Sequence, residues 1–174
     1  MRKQILLAFA AATVLAGAGC SSITTNVDFD AGAHFARYRT YAFKDVHDRD
    51  AFQMKRVHAA IDRTLAAKGL SRAEGTPDLW VVLHTRTRNE RRVTTYNSGW
   101  GWGWGWRGGY WNAARVEDIP VGTLVVDLVD TNAKELVWRG SATRVIDRDE
   151  TPQERTGYVQ EAVDKLFADF PPKR

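Results

Sequence analysis

Cys20 is the only cysteine in this chain of 174 residues. An intrachain disulfide and a cysteine zinc site are therefore both excluded as supports, and the fold must rest on apolar packing. Ahead of Cys20 stand Arg2-Lys3, the apolar run Ile5 to Leu15, and then Ala16-Gly17-Ala18-Gly19. A positive start, a short apolar core and small residues at its end make a secretory signal peptide. The run is too short, and too soon followed by Ser21-Ser22, to span a bilayer as a permanent helix. Residues 1–19 read as a leader, 20–26 as a short polar tether, and 27–172 as one domain.

The residues around Cys20 resemble the lipobox of bacterial lipoproteins. That resemblance implies a thiol joined to diacylglycerol and an acylated new amino terminus, for example by palmitate. Several acyl chains on one residue give stable anchoring, which one chain does not. Gly17 stands where the pattern prefers leucine. The other reading is an ordinary signal peptide cut at Ala16-Gly17-Ala18 with a free cysteine left over. Ser21, in place of an aspartate, follows the cysteine. In lipoproteins this implies the outer membrane, with the domain lipid-anchored on its periplasmic face. Retention at the inner membrane by another signal is the alternative.

The formal charge is +4. Removing a leader that carries Arg2 and Lys3 and no acid leaves only a small excess, which gives no footprint for nucleic acid. The remaining length suits one sizeable core.

Val27 to Asp30 and Tyr41 to Phe43 alternate as short strands. From Asp48 to Lys68, Phe52 or Met54, Val57, Ile61 and Leu65 recur at helical spacing, and Gly69 stands where a left-handed cap belongs. Leu79 to Thr85 reads as a strand continuing towards Thr95. Gly122–Asp130 and Lys134–Ile146 flank turn residues and predict an antiparallel hairpin. Leu124, Val126 and Leu128 share one face of it; Leu136, Trp138, Gly140 and Ala142 share another. Thr151-Pro152-Gln153-Glu154 is a capping box, and Val159, Ala162, Val163, Leu166, Phe167 and Phe170 form the apolar stripe of a final helix. The expected fold is α+β: a two-layer sandwich of one antiparallel or mixed sheet with two amphipathic helices on one face.

Several blocks resemble the DUF4136 family of lipoproteins. They are Phe35 to Phe43 (F-x-x-Y-x-T-aromatic), Ile61 to Leu70 (I-x-x-x-L-x-x-K-G), Pro77 to Val81, Gly122 to Asp130, Leu136 to Gly140, and Ala162 to Pro172. They span nearly the whole mature chain. The resemblance implies location and architecture but no biochemical activity.

No catalytic constellation emerges from the residues. His34, His47, His58 and His84 lack ligand spacing, so no metal site and no cofactor is expected. Glu117-Asp118 read as a solvated loop pair. Asp127 and Asp130 face opposite sides of a strand. Asp127 reads as solvated or paired with Arg139 or Arg144 across the hairpin, with a functional role as the alternative. Trp138 reads as core, with Gly140 admitting a helix, against a binding element as the alternative.

The Gly/Trp-rich segment 98–111 is different. Trp100, Trp102, Trp104 and Trp106 alternate with glycine, followed by Arg107, Tyr110 and Trp111. A short loop cannot bury them all. Exposed tryptophans suit a bilayer interface, a glycan such as peptidoglycan, or a protein partner; an inert insertion is the remaining possibility. The expectation is a non-enzymatic binding or scaffolding module of the cell envelope. Its partners would be the membrane through Cys20 and an envelope protein or glycan, with no nucleic acid. The rival is an enzyme of envelope polymers with a site assembled from distant residues.

Overall fold

The computed structural model describes residues 23–44, 50–96 and 113–173. Cys20 and the 98–111 segment lie outside the described residues. The chain runs β1 (Thr24–Phe29), a 3-10 turn (Phe35–Arg37), β2 (Thr40–Lys44), α1 (Ala51–Ala67), β3 (Ser71–Arg72), β4 (Leu79–Tyr96), β5 (Ala113–Asp130), β6 (Leu136–Val145) and α2 (Pro152–Leu166). One six-stranded open sheet has the order β1-β6-β5-β4-β2-β3. It is mixed, because β2 runs parallel to β3 and β4 while the other pairs are antiparallel. The α+β expectation holds.

Local chemistry sets the helix ends. Asp50 caps α1 by accepting the Gln53 N–H at 2.9 Å. At the other end Gly69 adopts φ 85°, and the N–H groups of Gly69 and Leu70 bond to the carbonyls of Ala66 and Leu65. This is the Schellman pattern, and glycine is the residue that reaches it without strain. Both halves of the capping box at Thr151 and Glu154 form. The apolar stripes then face the sheet. Val57, Ile61 and Leu65 are buried, and Met54 packs against the core, while Phe52 is 77% exposed. On α2, Val159, Ala162, Val163 and Leu166 are buried, as are Phe167 and Phe170 beyond its end.

These side chains meet Leu79, Val81 and Leu83 of β4, Val126 and Leu128 of β5, and Trp138 and Ala142 of β6 in one core. The register puts Val81, Leu128 and Trp138 in one row across three strands. Gly140 is required here. A Cβ on it would stand 2.5 Å from Cη2 of Trp138 and 3.1 Å from Cδ2 of Leu166, so its absence lets the indole and α2 close on the sheet.

The structure differs from the sequence reading at several points, among them the second hairpin strand, which runs Leu136–Val145 where Lys134–Ile146 was expected. β1 begins at Thr24, inside the segment read as tether, because an edge strand is recruited by backbone bonding to β6 whatever its side chains. Asp48 lies outside the described residues, and helical structure starts at Ala51. β5 starts at Ala113, well before Gly122, so Glu117 and Asp118 belong to a strand and not to a loop. Leu136 does not share the face of Trp138. A bulge opposite Leu128 and Val129 inserts Val137, which is buried along with Trp138 and turns Leu136 outwards.

Candidate functional site

The extra length of β5 makes the site. β4 and β5 are each 18 residues long and stay paired from Leu79↔Asp130 to Tyr96↔Ala113. β2 covers only Leu79 to Val82 of β4, and the ladder of β6 on β5 ends at Val121. Pro120 sits at that limit. Its carbonyl accepts the Ile146 N–H at 2.8 Å, but without an N–H it returns no bond to β6, and the ladder stops there. From Asn89 and Pro120 outwards the two strands continue alone as an arm. Seven residues at strand rise carry it about 23 Å beyond the body of the sheet. The 97–112 connection joins its two strands at the tip.

The described part of the arm carries charged rungs near its root and an apolar rung beyond them. Arg91 stands opposite Asp118, and Arg92 opposite Glu117. Arg88 bonds to Glu90 at 2.9 Å through Nε. The next rung is Val93 opposite Val116, and these are 57% and 56% exposed. From Val93 to Tyr96 and from Ala113 to Val116 there is no acid.

At the root of the arm a groove of about 630 Å³ opens between the amino-terminal parts of both helices and the sheet. Ile23, Gln53, Thr87, Arg148 and Tyr158 are among its walls. Its best-placed acids are already engaged. Glu150 accepts both Nη atoms of Arg144, at 2.5 and 2.6 Å, and this pairing holds its carboxyl below the usual range. The same guanidinium lies 4.3 Å from the Tyr158 ring centre. Asp50 caps α1.

The strand acids also have partners. Asp127 takes Nε and Nη2 of Arg139, each at 2.6 Å, directly across the hairpin as expected. Arg144 goes to Glu150 instead. Asp130, 1% exposed, accepts the N–H groups of Asn132 and Ala133 and the hydroxyl of Tyr38, and pairs with Arg37. Burial alone would raise its pKa; these donors overcome it and bring the value down to about 2. Asp78 accepts the N–H groups of Arg39 and Thr40, which lower its pKa and fasten the start of β2 beside β4.

Among the described residues no buried side-chain nitrogen or oxygen lacks a partner. None of their acids, histidines or cysteines gather into a group that could hold a metal. His58 stacks on Phe43 with ring centres 4.0 Å apart, and exposed His84 stands 3.9 Å from Asp127. No helix among the described residues is long and apolar enough to cross a membrane. Of the contact residues named from sequence, Trp100, Trp102, Trp104, Trp106, Arg107, Tyr110 and Trp111 lie outside the described residues, as does Cys20. The arm and the groove were not anticipated. Pro120 and the weak alternation from Ala113 to Val121 hid the first; the wide sequence separation of its walls hid the second.

The profile of a family described as a domain of unknown function (DUF4136) matches residues 25–172. No curated protein matches the chain in sequence. Among solved structures, the fold is similar to a PDZ domain protein from Parabacteroides distasonis, with a TM-score of 0.58 and 14% identity. That match covers 87% of this chain and 36% of the other. It is also similar to the PelC dodecamer from Paraburkholderia phytofirmans, with a TM-score of 0.53 and 12% identity, over 87% of this chain and 99% of that one. A variant of the same PelC dodecamer gives 0.51 and 14%, over 87% and 100%. At these identities the likeness is one of fold.

Proposed function

We propose, on the premise that this chain belongs to the DUF4136 family, that it is a non-enzymatic binding or scaffolding module of the cell envelope. It is anchored through acylated Cys20 at the periplasmic face of the outer membrane and takes no cofactor. The observation that carries this reading is the β4–β5 arm. Its last described pair, Tyr96 and Ala113, stands beyond the body of the sheet, where a contact device would meet an envelope protein, a glycan or the bilayer. Paired Asp127, Asp130 and Glu150 act as structural groups in this reading, since a catalytic carboxylate needs a free lone pair facing its substrate.

Changing Trp100, Trp102, Trp104 and Trp106 to Ser together should leave stability within about 0.5 kcal/mol, as surface changes do. Sedimentation of the soluble domain with vesicles, with purified sacculi and with envelope extract should fall for at least one target, because rigid aromatics supply much of the contact energy. An unfolded variant would place the tryptophans in the core. Three unchanged profiles would make the segment an inert insertion.

The anchor has its own test. Cys20→Ser should abolish incorporation of labelled palmitate and move the domain from the membrane to the soluble fraction. Retained label with unchanged fractionation would remove lipidation from the reading.

A further inference from the structure

The lipid anchor and the arm leave the sheet at the same end. Thr24, four residues after Cys20, stands in one row with Thr143, Thr123 and Arg86. From that row β4 runs ten residues further to Tyr96, about 33 Å at strand rise. In the other direction β5 runs seven residues from Thr123 to its end at Asp130, about 23 Å. The connection from Cys20 to Thr24 spans at most about 14 Å even when fully extended.

These lengths restrict how an anchored domain can stand. With the arm pointing away from the membrane, the β5–β6 turn would face the bilayer. Thr24 would then lie at least about 23 Å from the surface, further than the connection reaches. An upright sheet must therefore turn its arm end towards the membrane. With the sheet upright in that sense, the bilayer surface lies within about 14 Å of the Thr24 row, and the outer 20 Å or so of the arm reaches it.

We infer that the outer arm, from the Val93–Val116 rung outwards, is a second contact with the bilayer that holds the acyl chains of Cys20. This inference rests on the anchored reading and names the bilayer as the partner of the arm. The chemistry along the arm is ordered to suit. The charged rungs Arg91–Asp118 and Arg92–Glu117 come first, at headgroup level. The exposed valine pair follows, and no acid lies beyond it up to Tyr96 and back from Ala113. An acid in that stretch would resist the interface, whereas valine, tyrosine and arginine are tolerated there.

The test uses the full lipoprotein in vesicles of phosphatidylethanolamine and phosphatidylglycerol. Acylation blocks the Cys20 thiol, so Val93→Cys introduces one thiol for an environment-sensitive fluorophore. Ala133→Cys, in the turn at the opposite end, is the reference, and Val116→Cys repeats the measurement from the partner strand. Nitroxide-labelled lipids should quench the label at 93 and at 116 several-fold more than at 133. Equal quenching at all three positions in protein that carries palmitate would overturn the bilayer contact and leave the anchored reading standing. Protein that incorporates no palmitate would overturn both.

Discussion

Phe167→Ala is expected to lower the free energy of unfolding by about 3–5 kcal/mol, the cost of deleting a buried phenyl ring. Phe167 is fully buried just past the last turn of α2. Its ring stacks on Trp138 with centres 4.7 Å apart and meets Phe170 edge-on at 5.5 Å. Trp138 in turn touches Phe170 at 5.8 Å, so three rings close on one another between the end of α2 and the start of β6. Gly140 leaves no methyl group to occupy the space beside the indole. Neighbouring backbone is held by the sheet and by α2, so the site has little freedom to collapse, and most of the cavity cost should be felt. Domains of this size have only about 5–15 kcal/mol in total. Urea denaturation of the soluble domain should therefore show a midpoint lower by one molar or more, taking roughly 1–3 kcal/mol per molar for the slope. An unchanged midpoint would show that the ring contributes no packing and that α2 meets the sheet through a different face.

The phase of α2 could be read from sequence because a helix declares itself locally. Its buried positions recur every three or four residues, and its cap needs only Thr151, Pro152 and Glu154. The β5–β6 hairpin was legible for the same reason: its turn chemistry and its apolar positions lie within a few residues of each other. The opposition of Asp127 and Arg139 follows from that hairpin register. Elements fixed by distant partners were not legible. β1 and β6 are separated by more than a hundred residues, and nothing in Thr24 to Asn26 announces a strand. Leu136 was placed inside by strict alternation, which a one-residue bulge reverses.

The site shows the same division. Alternating glycine and tryptophan made 98–111 the evident contact segment, yet the reach of the strands that flank it depends on how far β4 and β5 remain paired. Arg91–Asp118, Arg92–Glu117 and Val93–Val116 match well across the ladder. Taken singly, the strand Ala113 to Val121 alternates poorly and contains Pro120, so complementarity appears only when both strands are set side by side. The groove at the arm's root has the same character, since Gln53, Thr87 and Tyr158 come from three separate elements.

Asp130→Asn should destabilise the domain by about 3 kcal/mol at neutral pH, and the difference should shrink in acid. The carboxylate joins two pieces of the chain, the adjoining turn and a distant segment. Oδ1 takes the N–H groups of Asn132 and Ala133 at 2.8 and 3.0 Å and so shapes the turn between β5 and β6. Oδ2 takes the Tyr38 hydroxyl at 2.8 Å and faces Arg37, which ties that turn to the segment before β2. An asparagine nitrogen in the place of Oδ2 would present a donor to the Arg37 guanidinium, would meet the Tyr38 hydroxyl only by reversing that bond, and would leave a buried charge-assisted network broken. Such losses cost about 1.5–5 kcal/mol, and the half-exposed Arg37 keeps the figure from the upper end. The pH dependence follows from the carboxyl's depressed value of about 2, against 3.8 in an unfolded chain. A depressed carboxyl contributes stability that is fully present above its unfolded value and is lost as the pH falls through its folded value. Here that is about 2 kcal/mol, disappearing between about pH 5 and pH 2. Asp78 and Glu150 are depressed as well, and both proteins carry them; the Asp130 charge does not act on Glu150, and on Asp78 it is the smallest of the influences, an upward one. Urea midpoints measured for parent and variant from pH 7 to pH 2.5 should thus converge as the acid limit is approached. A gap that stays constant over that range would mean Asp130 gains nothing from being ionised, and the network around it would then be one of shape rather than charge.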